Sequence, residues 1–164
     1  MKLIKQPNSW SCMVAAAAMA FDCEIVDIIE RVGHDGNEVI HYGLSPPACF
    51  KGFHIQEIVG VGLLFGFSMT LIESAPSQTP DGVHVYDITK WGAFKNNKQR
   101  FEYYLAYNQG ILIGKARKYM HAVAFDKGTI YDPRGRVYSI DNCDLFLESL
   151  WIVSKNQIIL KNNP

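Results

Sequence analysis

The hydrophobic period changes part-way along this chain, and that change limits the folds open to it. Residues 12–21 are alanine-rich and read as a buried helix. Residues 24–32 place Ile25, Ile28, Ile29 and Val32 on one face, the pattern of an amphipathic helix, with Gly33 to end it. Residues 54–66 have helical spacing weakened by Gly60 and Gly62, and 33–53 read mostly as loop. From residue 68 the spacing shortens toward two. Residues 68–74 and 83–88 read as strands around a loop rich in Ser and Pro, and 98–107 as one more helix, stopped by Asn108 and Gly110. Strands are expected over 111–116, 120–125, 129–132 and 137–140, a short helix over 143–150, and one or two strands over 151–160. Helices first and antiparallel strands after predict a single α+β domain spanning 1–164, with the N-terminal helices packed on a C-terminal sheet.

A chain of 164 residues is one domain of ordinary size and needs no staple to fold. The formal net charge is zero, so neither nucleic acid nor an anionic membrane is the expected partner, since both need a basic field. Four cysteines, at 12, 23, 49 and 143, include no CxxC pair, which argues against a zinc ribbon or a thioredoxin-like site. Reduced thiols and a cytoplasmic location are the expectation. A competing reading takes Lys2, Lys5 and the apolar run 13–21 as a cleaved signal, which would remove Cys12; the polar stretch 6–11 between charges and run speaks against it. No run approaches the about 20 apolar residues of a membrane span.

Cys12 follows a polar, turn-prone segment and opens the alanine-rich helix. A thiol there meets unsatisfied backbone N–H groups and the positive end of the helix dipole, which favours thiolate. Gln6, six residues upstream, can offer a side-chain N–H to a carbonyl oxygen that gains charge under attack. The plainer reading makes Cys12 a small buried residue at a helix start.

His121 lies near the start of the strand over 120–125, and Asp132 ends the strand over 129–132. His121, Val123 and Phe125 share one face, as do Ile130 and Asp132. A hairpin loop of even length around Lys127 and Gly128 puts both sets on the same face, with Val123, Phe125 and Ile130 as core and His121 beside Asp132 at one end. Histidine can take the thiol proton and return it to a leaving group, while a carboxylate fixes its tautomer. The alternative is a core histidine and a turn acid before Pro133.

The segment QPNSWSCMVAAAAMAF resembles the Gln and Cys region of papain-like cysteine peptidases, and GILIGKARKYMHAVAFDKGTIYDPRG resembles their His and acid region. The likeness is closest to the bacteriocin-leader-processing peptidases of bacterial transporters and their stand-alone relatives, and covers about residues 3–22 and 110–136. Many of those relatives have Gly where this chain has Met13. The resemblance implies a papain-like fold with Cys12, His121 and Asp132 as triad and Gln6 as oxyanion donor. It implies a peptidase that acts on a protein or peptide substrate through a thioester, without cofactor or metal. A same-triad acyl transferase or deamidase, and an inactive peptide-binding relative, stay open.

Other candidates are weaker. Cys49 with His54 lies in a Pro-rich stretch without an oxyanion donor, and His34, His41, His54 and His84 lack the spacing of a zinc site. Gly60-Val61-Gly62 lies inside a helical pattern and is no dinucleotide loop. The aromatic residues Trp91, Phe94, Phe101, Tyr103, Tyr104 and Tyr107 read as core and rim, and Lys115, Arg117 and Lys118 as a solvated edge.

Overall fold

A computed structural model describes residues 1–37, 51–73, 97–116 and 119–156. Among them are four α-helices and one six-stranded antiparallel sheet, an α+β architecture. Helix α1 spans Cys12–Phe21, α2 Ile25–Val32 and α3 Ile55–Leu64; β1 follows at Phe67–Glu73 and α4 at Asn97–Tyr107. Then come β2 (Gln109–Ala116), β3 (Tyr119–Asp126), β4 (Thr129–Asp132) and β5 (Arg136–Ser139), a 3-10 turn at Ile140–Asn142, and β6 (Phe146–Lys155). The strand order is β1-β6-β2-β3-β4-β5, so the last strand inserts beside β2 and carries β1 at its outer side.

Ala15, Ala16, Ala17 and Ala18 are wholly buried. Alanine has the best intrinsic helix propensity, and its short side chain lets the helix backbone come close to the sheet. α1 packs against Ile111 and Ile113 of β2, Ala122 and Ala124 of β3, and Trp151 and Val153 of β6. The opposite face, with Leu112, Val123, Phe125, Ile130, Leu150 and Ile152, is covered by Phe101 and Leu105 of α4. The expectation of helices on a later sheet is thus met on one face, while α4 is added on the other. On α2, Ile28 is fully buried and Ile25, Ile29 and Val32 pack against the core from the rim. Its start is boxed by Glu24 and Asp27, and Gly33 ends it at φ 87°. At the start of α3 the His54 ring accepts from the backbone N–H of Gln56, and the backbone N–H of His54 donates to Glu57. His54 therefore serves as a helix cap; Cys49, the other half of that candidate pair, lies outside the described residues.

Two expectations are overturned. Residues 146–150 belong to β6 and not to a helix. Leu147 and Leu150 both pack on the α4 face although they are three positions apart, an odd step in a strand. The cause is a β-bulge: Ile113 pairs with Ser149 and Gly114 with Leu147, leaving Glu148 as the extra residue. The bulge imitates helical spacing. A strand also fits here because β6 lies between β1 and β2 and is covered on both faces, so the run 150–153 is apolar without alternation. The expected strand over 83–88 and residues 157–160 lie outside the described residues.

Gly110, expected to help stop the preceding helix, instead lies within β2 opposite Ile152. A Cβ there would overlap the carbonyl oxygen of Trp151 and come within 3.0 Å of the Phe125 ring. Gly110→Ala should therefore force β2 and β6 apart. The expected cost is about 3 kcal/mol or more, read as a fall of roughly 10 °C in melting temperature by calorimetry. An unchanged melting temperature would show that the two strands yield freely.

Candidate functional site

The loop between β3 and β4 contains two residues, Lys127 and Gly128, with φ of 46° and 80°. Positive φ at both positions is the signature of the type I′ turn, whose twist matches that of the strands it joins. It fixes the register Asp126↔Thr129, Phe125↔Ile130 and Ala124↔Tyr131. Continued by one step, that register sets Asp132 opposite Val123, one same-face step of about 7 Å from His121. The side chains close the gap: His121 Nε2 and Asp132 Oδ1 are 2.9 Å apart. Both groups are buried, with 3% and 1% exposure.

With Nε2 on the carboxylate, Nδ1 is the ring nitrogen left for the thiol. Cys12 and His121 lie close enough for thiol and imidazole to shift each other's pKa, and the backbone at Ala122 and Met13 is also beside the sulfur. Two segments 109 positions apart therefore meet. By alternation His121 belongs to the face of Val123 and Phe125, whereas α1 covers Ala122 and Ala124. Sulfur and ring meet where β3 runs on past its last pairing with β4 at Ala124.

Burial pushes the Cys12 thiol up, but hydrogen bonding to His121 and the nearby backbone, with the imidazole's charge, brings it below the ordinary thiol range. Burial pushes His121 down, and the bonds to Asp132 and Cys12 more than reverse this, so its pKa is raised. For Asp132 burial raises the pKa. Bonds from His121, the Arg134 backbone N–H and Arg136 overcome that and hold the carboxyl well below the usual range. By contrast, burial and the acids Asp27, Asp22 and Glu24 push Cys23 up to about 11. Burial also raises Cys143. Among the described cysteines, Cys12 is the one whose surroundings favour the thiolate.

The helix start is arranged around the sulfur. Ser11, at the N-cap, makes no side-chain cap. Its hydroxyl instead donates to Asn8 Oδ1, which also accepts from the backbone N–H of Trp10 at 3.1 Å. A serine at this position ordinarily satisfies an N–H of the first turn. Turned away, it leaves those N–H groups to the sulfur and to any oxygen brought beside it.

Gln6 lies at the same end of the molecule. Its backbone N–H donates to Pro133 O at 2.9 Å, next to Asp132. One amide N–H donates to Asn8 O at 2.6 Å, and Oε1 is buried without a partner. The amide nitrogen has a second N–H besides the one used in that bond.

Arg136 was not legible as a site residue. Its guanidinium donates to Asp132 Oδ2 at 2.9 Å and lies 5.4 Å from the centre of the Tyr138 ring. The turn Pro133-Arg134-Gly135, with Gly135 at φ 94°, pairs Asp132 with Arg136 across β4 and β5. A three-residue loop ending in a glycine at positive φ is a recurrent hairpin type, and it was the available signal. Arg134 adds a backbone N–H to Oδ1 at 2.9 Å. The carboxylate thus has three donors, enough to hold it charged and fixed while buried.

The remaining candidates are placed elsewhere. His34 bonds Glu57 at 2.9 Å and stacks on Phe53. Lys115 pairs with Glu148 at 2.9 Å. Tyr103 stands against Tyr104 and Tyr107, and Phe101 is core. His41, His84, Trp91, Phe94, Arg117 and Lys118 lie outside the described residues. Among the described residues no three His, Cys, Asp or Glu side chains are grouped to hold a metal ion, and no helix is long and apolar enough to cross a membrane. A cavity of 760 Å³ lies at the far end of α1, by Phe21, Asp22, Cys23 and Phe67, away from the thiol.

Neither a protein-family model nor a curated protein matches the chain.

Proposed function

We propose that this chain is a papain-like cysteine hydrolase that cleaves a peptide or isopeptide bond through a thioester on Cys12. The observation that carries the reading is the bond of His121 to a buried Asp132 at 2.9 Å, the carboxylate having three donors, with the Cys12 thiol near enough to the imidazole for each to shift the other's pKa. Support comes also from the opposed shifts, thiol down and imidazole up, which favour a thiolate–imidazolium pair.

The chemistry follows from these positions. Cys12 Sγ attacks the carbonyl carbon, and its oxygen takes the charge. The Gln6 amide and the backbone N–H groups at the start of α1 are the donors for it. The C–N bond breaks as His121 gives its proton to the departing amine, which leaves a thioester. Water then adds to the thioester, His121 takes its proton, and the thiolate leaves with the acid product released. Asp132 keeps Nε2 protonated and steadies the imidazolium throughout. The substrate is a protein or peptide, and the proposed place of action is the cytoplasm.

Iodoacetamide at pH 6, with the labelled cysteine identified by mass spectrometry, tests the thiolate. Cys12 should label about tenfold or more faster than Cys23 or Cys143, because those two are raised by burial. A peptide library should be cut by the free enzyme and left whole once Cys12 is alkylated. Equal labelling of all four cysteines would defeat the proposal. Conversion of side-chain amides to acids without chain scission would reassign the site to deamidation.

A further inference from the structure

The bulge at Glu148 does more than break a periodicity. Past it, Phe146 pairs with Lys115, and Lys115 pairs in turn with Met120. Paired residues share a sheet face, so Phe146, Lys115 and Met120 form one cross-strand row, about 10 Å wide at ordinary strand spacing. Alternation from Ile113 and Ala122 assigns this row to the face that α1 covers. The row next to it holds His121, Gly114 and Leu147. α1 runs from Cys12, beside Ala122, toward the end of the sheet that carries Gln109, so the row extends the sheet floor just in front of the sulfur.

The floor is apolar and uncovered. Phe146 is 71% exposed and Met120 49%. Single exposed apolar residues are ordinary; two of this size flanking one lysine beside a reactive thiol form a patch of the kind that marks interaction sites. The lysine charge is already met by Glu148, the bulge residue itself, at 2.9 Å. Its stem can cover the floor while its head stays in water. Without the bulge, Phe146 would point to the opposite face. The close strand approach there also requires Gly114, where a Cβ would stand 2.6 Å from Phe146 O.

Resting on the hydrolase reading, we propose that Phe146 and Met120, with the stem of Lys115 between them, form a subsite for an apolar side chain of the peptide substrate close to the scissile bond. The site continues the thiol's own sheet face. Because its cation among the described residues, Lys115, is paired with Glu148, a leucine or phenylalanine side chain gains more from it than an aspartate.

Two acetyl-dipeptide acyloxymethyl ketones that differ only in one side chain, leucine or aspartate, probe it in the intact protein. Their rates on Cys12 are each divided by the iodoacetamide rate of the same variant. The wild type should favour the leucine reagent by about tenfold or more. Phe146→Ser and Met120→Ser should each reduce that preference to within about threefold, and Phe146→Leu should keep it. Leu64→Ser, at the distant end of α3 and 70% exposed in the wild type, should also keep it. A preference unchanged in Phe146→Ser and Met120→Ser, with iodoacetamide still selecting Cys12, would overturn the subsite and leave the hydrolase reading intact. Unselective iodoacetamide labelling would remove both.

Discussion

His121→Ala should slow alkylation of Cys12 at pH 6 by about 10²-fold and cut peptide hydrolysis by 10⁵–10⁶-fold, in order of magnitude. The first figure comes from the thiol's surroundings. Burial alone would hold Cys12 above the ordinary range, and bonding to His121 is the largest of the effects that bring it below. With the ring removed, burial prevails and at pH 6 well under about 1% of the thiol is ionised. The remaining thiolate is intrinsically more nucleophilic, which returns part of the loss. The second figure is the scale seen when the base of a nucleophile–base pair is deleted. In the wild type the reactive pair exists from the depressed Cys12 pKa up to the raised His121 pKa. Labelling measured across pH should therefore show an acid-shifted rise that the variant lacks. A variant that labels like the wild type at pH 6 would mean that imidazole and sulfur act independently.

Asp132→Ala should lower hydrolysis by about 10⁴-fold, and Asp132→Asn by less. The two variants differ in what they leave for the ring. Alanine leaves a buried imidazole N–H without an acceptor, and burial then pulls the His121 pKa down. The imidazolium is lost at lower pH, so the alkaline limb of the hydrolysis profile moves toward acid. Asparagine retains an oxygen that can accept from His121 Nε2 and the Arg134 N–H, as Oδ1 does now. Its amide nitrogen would then face Arg136, whose side chain is 54% exposed and can swing into water. Equal losses in the two variants, read as kcat/KM, would show that charge and not geometry is what Asp132 supplies.

The same groups set the pH dependence of stability. Asp132 is depressed, so its contribution is full above about pH 4, the unfolded value, and is lost as pH falls through its folded pKa. His121 is raised, so its contribution is full below about pH 6.5 and is lost as pH rises through its folded pKa.

Much of the site could be read from short stretches of chain. The alanine run specified α1, because alanine joins the best helix propensity to a side chain short enough for close approach to a sheet. The even loop at Lys127 and Gly128 fixed the hairpin, and with it the neighbourhood of His121 and Asp132. What is local in sequence is governed by period and turn chemistry, and both are legible without coordinates. The misreading of residues 146–150 has the same origin, since a bulge alters the local period that such reading depends on.

Other features were decided only when the chain closed on itself. Insertion of β6 between β1 and β2 is a choice of strand order, and no period encodes it. Arg136 reaches Asp132 because a three-residue turn sets them opposite each other, and Gln6 comes beside them through its bond to Pro133 O. The meeting of Cys12 with His121 joins a helix start on one sheet face to a ring that alternates onto the other. Strand order, the early end of β4 and the close seating of α1 bring them together. Each is a long-range packing outcome, in which buried apolar area offsets the entropy of closing about a hundred residues of chain.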